Sequence, residues 1–218
     1  MSTPVPRLGG HVRWIDFDEF IIVFDGREGR FSAVDPIWAA SWRRLFGSHP
    51  SGGGLADDNE AQAFLEDIGR AGWIDRGPPS PPATGDRLVL WPPASAPAFA
   101  HYAAVSLRLR LFGFGPTYAA VERLRAGRMR EGLSPSVEAV VGRYRRGEGP
   151  FVRRAFRDCL RRSLSLHALL KRCGIASRHH IGVALHPFRS HAWVEVDARP
   201  VLEAPRATSP YRTISAIG

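Results

Sequence analysis

Cys159, His191 and a carboxylate beyond them, in that chain order, are the residues whose types can do chemistry together. A thiol turns into a strong nucleophile when its anion is favoured and a base lies within hydrogen-bond reach. A helix N-terminus facing a histidine on a neighbouring element supplies both. Asp158, directly before Cys159 in "FRDC", can mark the start of a new helix there. His191 stands in "SHAWVEV", residues 190–196, where His191, Trp193 and Glu195 alternate with Ala192, Val194 and Val196 as on a strand with two unlike faces. At about 3.3 Å per residue, Glu195 is about 13 Å from His191 and Asp197 about 20 Å along that strand, so neither can orient the imidazole. The acid must come from another strand. A three-residue loop at Asp197–Arg199 would pair residue 196 with 200 and set Glu203 opposite 193, diagonal to His191. Glu203 would then accept the Nδ1 proton and hold the ring for exchange with Cys159. The competing reading of the same residues is that His191 packs on Trp193 and does no chemistry.

These side chains need a helix and a small sheet to hold them. "PFVRRAFRDCLRRSLSLHALLKRCG" is helical in pattern and ends at Gly174, which places Cys173 at the negative end of the helix as a small apolar residue. The two cysteines, about 21 Å apart along such a helix, cannot bridge. "HHIGVAL", "SHAWVEV" and "RPVLEA" read as strands, and upstream "APAFAHYAAVSLRLRLFGFG", "PTYAAVERLRAGR" and "SPSVEAVVGRYRRG" read as helices. Helices followed by a small antiparallel sheet make an α+β pattern.

The N-terminal third differs. "HVRWIDF", "EFIIVFD" and "RFSAVD" read as short strands. "PIWAASWRRLFG" is a helix with Ile37, Trp38, Trp42, Leu45 and Phe46 in helical spacing, and "DNEAQAFLEDIGRAGWID" a second with Ala63, Phe64, Leu65 and Ile68 inward. Three strands and two helices describe a small winged-helix-like module. Prolines and glycines at 76–86 break the pattern. The expected division is therefore 1–80, a proline-rich linker at 81–97, and 98–218.

A chain of 218 residues with 44% hydrophobic content can bury a real core. It holds no run of eighteen apolar residues and no signal-peptide pattern, so the reading is a cytoplasmic protein with free thiols and no membrane segment. The net charge of +9 is uneven: residues 1–80 carry eight arginines against twelve acids, a net −4, which leaves +13 for the rest. Phosphate contacts need clustered cations, so the acidic N-terminal module argues against nucleic acid. There is no GxxxxGK[ST], HExxH or CxxC, and His179 and His180 point to opposite faces of a strand, so neither a metal nor any other cofactor is expected.

Residues 159–205 closely resemble the C-terminal domain of lasso peptide biosynthesis B proteins, the transglutaminase-like leader peptidases. The likeness rests on Cys-Leu-x-Arg-Ser-Leu opening a helix, an Ile-Gly-Val strand, and His-Ala-Trp-Val-Glu at 191–195. It implies a transglutaminase-like, papain-like cysteine peptidase domain with Cys159, His191 and Glu203 as its triad. Glutamate stands where aspartate is usual in the family, and "VDARP" lacks the usual Asp-Gly turn. The resemblance further implies that residues 1–80 recognise the leader of a ribosomally made precursor. Such a module adds the peptide as a strand to a sheet edge, here "RFSAVD" beside "PIWAASWRRLFG". Phe31, Ala33, Trp38 and Trp42 are the candidate peptide-binding residues, with most of the aromatics also readable as core. The implied partners are the precursor peptide, cleaved near a threonine at the leader's end, and an ATP-dependent macrolactam synthetase that closes the released core. A non-catalytic peptide-binding scaffold and a winged-helix DNA-binding regulator are the readings from other classes.

Overall fold

The computed structural model describes residues 7–47, 59–75, 91–125, 135–148 and 158–218. The chain separates into two compact units, Met1–Pro81 and Pro82–Gly218. Most of the expected linker, and the expected helical stretch at 150–157, lie outside the described residues.

The first unit opens with an antiparallel meander, β1 (Val12–Asp16), β2 (Ile21–Asp25) and β3 (Arg30–Val34), in the order β1-β2-β3. The turn into β3 is fastened by Asp25, whose Oδ1 accepts the amides of Arg27 and Glu28, and by Gly29 at φ 71°, a conformation glycine adopts without steric cost. Helix α1 (Pro36–Phe46) starts where Asp35 accepts the Ile37 amide at 3.0 Å and Pro36 takes the first turn, and α2 (Asn59–Arg70) follows. Ile21, Val23, Trp42, Phe64 and Ile68 are at the centre of the core. Trp42 is fully buried, its ring 5.0 to 6.1 Å from those of Trp14, Phe46, Phe64 and Trp73.

Two expectations for these helices are corrected, Ala63 as an inward residue and Trp42 as a peptide-binding one. Ile37 is 69% exposed and Ala63 is exposed. At about 100° per residue both fall off the arc that carries Ala39, Trp42 and Leu45 in one helix and Phe64 and Ile68 in the other. Trp42 is core, so no peptide can reach it without unfolding the unit.

The second unit places helices α3 (Ala98–Phe112), α4 (Phe114–Glu122), α5 (Val137–Gly147) and α6 (Cys159–Arg172) with a sheet of β4 (Arg178–Ala184), β5 (Arg189–Val196), β6 (Arg199–Pro200) and β7 (Arg212–Ile217). A single turn, α7 (Pro205–Thr208), precedes β7. The sheet order is β6-β5-β4-β7, antiparallel throughout. Helix α6 is the hub. Every residue from Ser163 to Leu170 is buried, and Leu166, Leu169 and Leu170 share a core with Tyr102, Val140, Tyr144, Val194 and Val196. Serine and alanine between the leucines let neighbouring elements approach this helix from several sides.

The sheet departs from expectation in two respects. "RPVLEA" is a strand only at Arg199–Pro200, the two residues that pair with β5 in regular register, and the opposite edge of the sheet, beside β4, is formed by β7, which was not expected. The β5–β6 hairpin loop has two residues, not three: Val196 faces Arg199, while Asp197 and Ala198 take φ of 50° and 58°. Positive φ at both loop positions matches the right-handed strand twist.

Trp42→Ala removes the ring on which four aromatic side chains and two helices converge. The expected loss is about 3–5 kcal/mol, enough to leave a small unit of marginal stability largely unfolded. Urea unfolding followed by circular dichroism should show the low-stability transition only in the variant.

Candidate active site

Helix α6 begins at Cys159. Asp158 is its N-cap, accepting the amides of Leu160 and Arg161 at 3.1 and 3.2 Å. With those two donors taken, the amide of Cys159 itself is the first-turn N–H at the thiol. The positive end of the helix dipole favours negative charge there, and Arg161, 3.3 Å from Asp158, offsets the charge of the cap. Cys159 is partly exposed, whereas Cys173, at the opposite end of the helix, is buried and its thiol is pushed up by desolvation.

His191 projects from β5 opposite Gly182 of β4. Its Nε2 stands 2.6 Å from Oε2 of Glu203, and the side chain of Cys159 lies near enough to its ring to act on its protonation. With Nε2 given to the carboxylate, Nδ1 is the ring nitrogen available to the thiol. This reverses the expected assignment, in which Glu203 was to accept from Nδ1. Cys159 and Glu203 outweigh desolvation and raise the His191 pKa to about 9. The imidazolium is therefore the dominant form at neutral pH.

Glu203 reaches this position by a route different from the expected one. The two-residue turn shifts the ladder by one, and a continued strand would have set residue 203 opposite 192, on the wrong face. The strand ends at Pro200, one further ladder bond from the Val201 amide to the Val194 carbonyl follows at 3.1 Å, and the chain then bends so that Glu203 meets the imidazole. Arg162 stands behind it, 3.9 Å from Glu203, with its Nε and Nη2 gripping Glu148 at 2.6 and 3.1 Å. A second carboxylate thus fixes the cation that flanks the first.

The first turn of α6 is also held from within. Ser163 Oγ donates to the Cys159 carbonyl at 2.6 Å, so its one proton is spent and it accepts from Nε2 of His179 at 2.9 Å. Nδ1 of His179 then accepts from the Tyr118 hydroxyl at 3.1 Å, and Tyr118 is hydrogen-bonded in turn to Ser215 of β7. Full burial keeps His179 neutral, its pKa driven well down. This chain ties the nucleophile's turn to α4 and the far edge of the sheet.

Arg162, Glu148, Ser163, His179 and Tyr118 escaped the sequence reading as site residues. Arg162 and Ser163 had a usable signal: they lie three and four residues after Cys159, on its own helix face. Glu148, His179 and Tyr118 come from other elements and had none. The structure brings Cys159, His191 and Glu203 together. Of the expected peptide-binding residues, Phe31 is half-buried against Phe24 and Ala33 is exposed, both on the edge strand β3. Trp38 is half-buried, stacked at 5.4 Å on Phe64. Among the described residues no cluster of three or more His, Cys, Asp or Glu side chains is placed to hold a metal, and no helix is long and apolar enough to cross a membrane.

A cysteine at a helix N-terminus, beside a strand that carries a histidine paired with a glutamate, makes a thiol–imidazole–carboxylate cluster on an α+β scaffold. The chain belongs to the transglutaminase-like superfamily, whose family model matches residues 102–216 and whose members include cysteine peptidases. No curated protein and no solved structure matches the chain.

Because the folded-state pKa of His191 is raised above its ordinary value of 6.5 by Cys159 and Glu203, these contacts stabilise the fold fully below pH 6.5. That contribution is lost as pH rises through about 9. Equilibrium unfolding of the wild type and Glu203→Gln across this range should show a stability gap that is widest at low pH and closes near pH 9. A gap independent of pH would show that the pair carries no proton linkage.

Proposed function

We propose that this protein is a cysteine leader peptidase of the lasso peptide biosynthesis B type, which binds a ribosomally made precursor and cleaves it between leader and core. The observation that carries the reading is the His191 imidazole shared between Cys159 and Glu203 at the N-terminus of α6. The Cys159 thiolate attacks the scissile carbonyl, and the developing oxyanion is met by the Cys159 amide. The imidazolium gives its Nδ1 proton to the leaving amine, so the C–N bond breaks as the thioester forms. A water then loses its proton to Nδ1 and attacks the thioester, the C–S bond breaks, and the leader leaves as a carboxylic acid with the thiolate and imidazolium restored. The indole N–H of Trp193 is not an oxyanion donor, since it is held by Glu195 at 2.9 Å.

The first unit, read as winged-helix-like, serves in this proposal as the leader-recognition module. β3 is an edge strand, and its Ser32 and Ala33 are exposed. Its outward backbone groups suit the addition of an extended peptide, with Phe31 and Trp38 the aromatics beside it. The amine released on the core then becomes the substrate of an ATP-dependent macrolactam synthetase, which makes that enzyme the functional partner. The net −4 of residues 1–80 weighs against DNA as the ligand of this unit.

The test is mass spectrometry of a candidate precursor incubated with the protein, with and without the synthetase and ATP. The wild type should yield leader and core fragments, Cys159→Ala none, and His191→Ala a rate lower by on the order of 10²–10⁴-fold. Leader binding without cleavage under every condition would favour the scaffold reading instead.

A further inference from the structure

The His191 ring is held by Glu203 and also against two aromatic rings that are themselves neighbours, 6.4 Å apart. On one side lies Trp193, 6.1 Å away between ring centroids and 14° from parallel. Near it is Tyr211, just before β7, at 5.1 Å and 36°. Trp193 is buried and is fixed from three directions. The face of His180 stacks on it at 5.3 Å and 10°. Its six-membered ring lies over Gly182, where a Cβ would stand only 2.8 Å from Cη2 and Cζ3, so only glycine leaves room for it. Its N–H donates to Oε1 of Glu195 at 2.9 Å, and the other oxygen of the same carboxylate stands 3.3 Å from Nε2 of His180. Glu195 therefore holds the indole by a hydrogen bond and stands beside the His180 ring stacked on it. It sits two residues from Trp193 and four from His191 on one face of β5, too far along the strand to touch His191 itself.

We propose that Glu195 is a positioning residue for the catalytic imidazole and acts through Trp193: by clamping the indole it fixes the wall that holds the His191 ring in the one plane where Nε2 meets Glu203 and Nδ1 meets Cys159. A hydrogen bond weakens steeply once its angle closes towards 120°, and an imidazole free to turn about its Cβ–Cγ bond cannot satisfy two partners on opposite edges. An indole face is also attractive to the imidazolium once the ring carries its proton. The charged and titratable groups around His191 are Cys159 from α6, Glu203 from the segment after β6 with Arg162 behind it, and Tyr211. Glu195 is not among them, so its effect must travel through the ring stack.

The inference rests on the peptidase reading for its catalytic meaning, but its test needs no turnover. The titration of His191 is followed by NMR of the intact protein with labelled histidine, in the wild type, Glu195→Gln and Glu195→Ala. Glutamine keeps an oxygen for the indole N–H, and its His191 should titrate close to the wild-type value near 9. Alanine frees the indole, and the titration should fall by at least about one pH unit towards 6.5 as both contacts loosen. Should Glu195→Ala fail to fold, Trp193→Phe keeps a ring in the stack while removing the gripped N–H, and should lower the titration likewise. A folded Glu195→Ala or Trp193→Phe protein with the wild-type titration would falsify the proposal and leave Glu195 a purely structural residue. Failure of the peptidase reading would appear separately, as an uncleaved precursor beside an intact titration difference.

Discussion

The 2.6 Å contact between His191 Nε2 and Glu203 Oε2 imposes a demand on everything around it. A carboxylate and an imidazolium a fifth exposed, brought together at the end of a sheet, must each be held from behind, or side-chain entropy and water would separate them. Arg162 flanks Glu203 and is pinned by Glu148. Trp193 and Tyr211 bound the imidazole. Ser163, His179 and Tyr118 hold the first turn of α6, so that Cys159 stays within reach of the ring. The fully buried stretch of α6 from Ser163 to Leu170 is what keeps the helix from shifting relative to β5.

Charge is balanced locally by the same parts. The imidazolium raised to about 9 faces one carboxylate, and the N-cap carboxylate of Asp158 is paired with Arg161 on the helix it starts. The buried His179 stays neutral and works only as a hydrogen-bond relay, with Nε2 donating and Nδ1 accepting. One histidine is charged and exposed enough to exchange protons, and the other is neutral and inert. Their environments make that difference, since residue type is the same.

The order of helices followed by a small antiparallel sheet was legible because "SHAWVEV" alternates cleanly and the helix from Cys159 has both an N-cap acid and a terminal glycine. Register was not. The sequence reading gave the hairpin a three-residue loop, and the structure has two residues at positive φ without the glycine that would have announced it. The reading still named Glu203, although the strand that was to carry it ends at Pro200, and a bend no local pattern signals brings the side chain round. Which imidazole nitrogen faces the acid is likewise a tertiary matter. β7 was missed because its alternation is interrupted by polar residues, and Ala63 was misplaced because hydrophobic type was given more weight than angular position on the helix.

The central claim is that His191 activates Cys159. The most direct measurement is the rate at which iodoacetamide alkylates Cys159 at neutral pH, read by mass spectrometry against Cys173 in the same molecule, for the wild type and for His191→Ala. Selective labelling of Cys159 that slows markedly when the imidazole is removed, with folding unchanged, is the predicted result. Equal rates in the two proteins would contradict the account, because the thiol would then owe its reactivity to exposure alone.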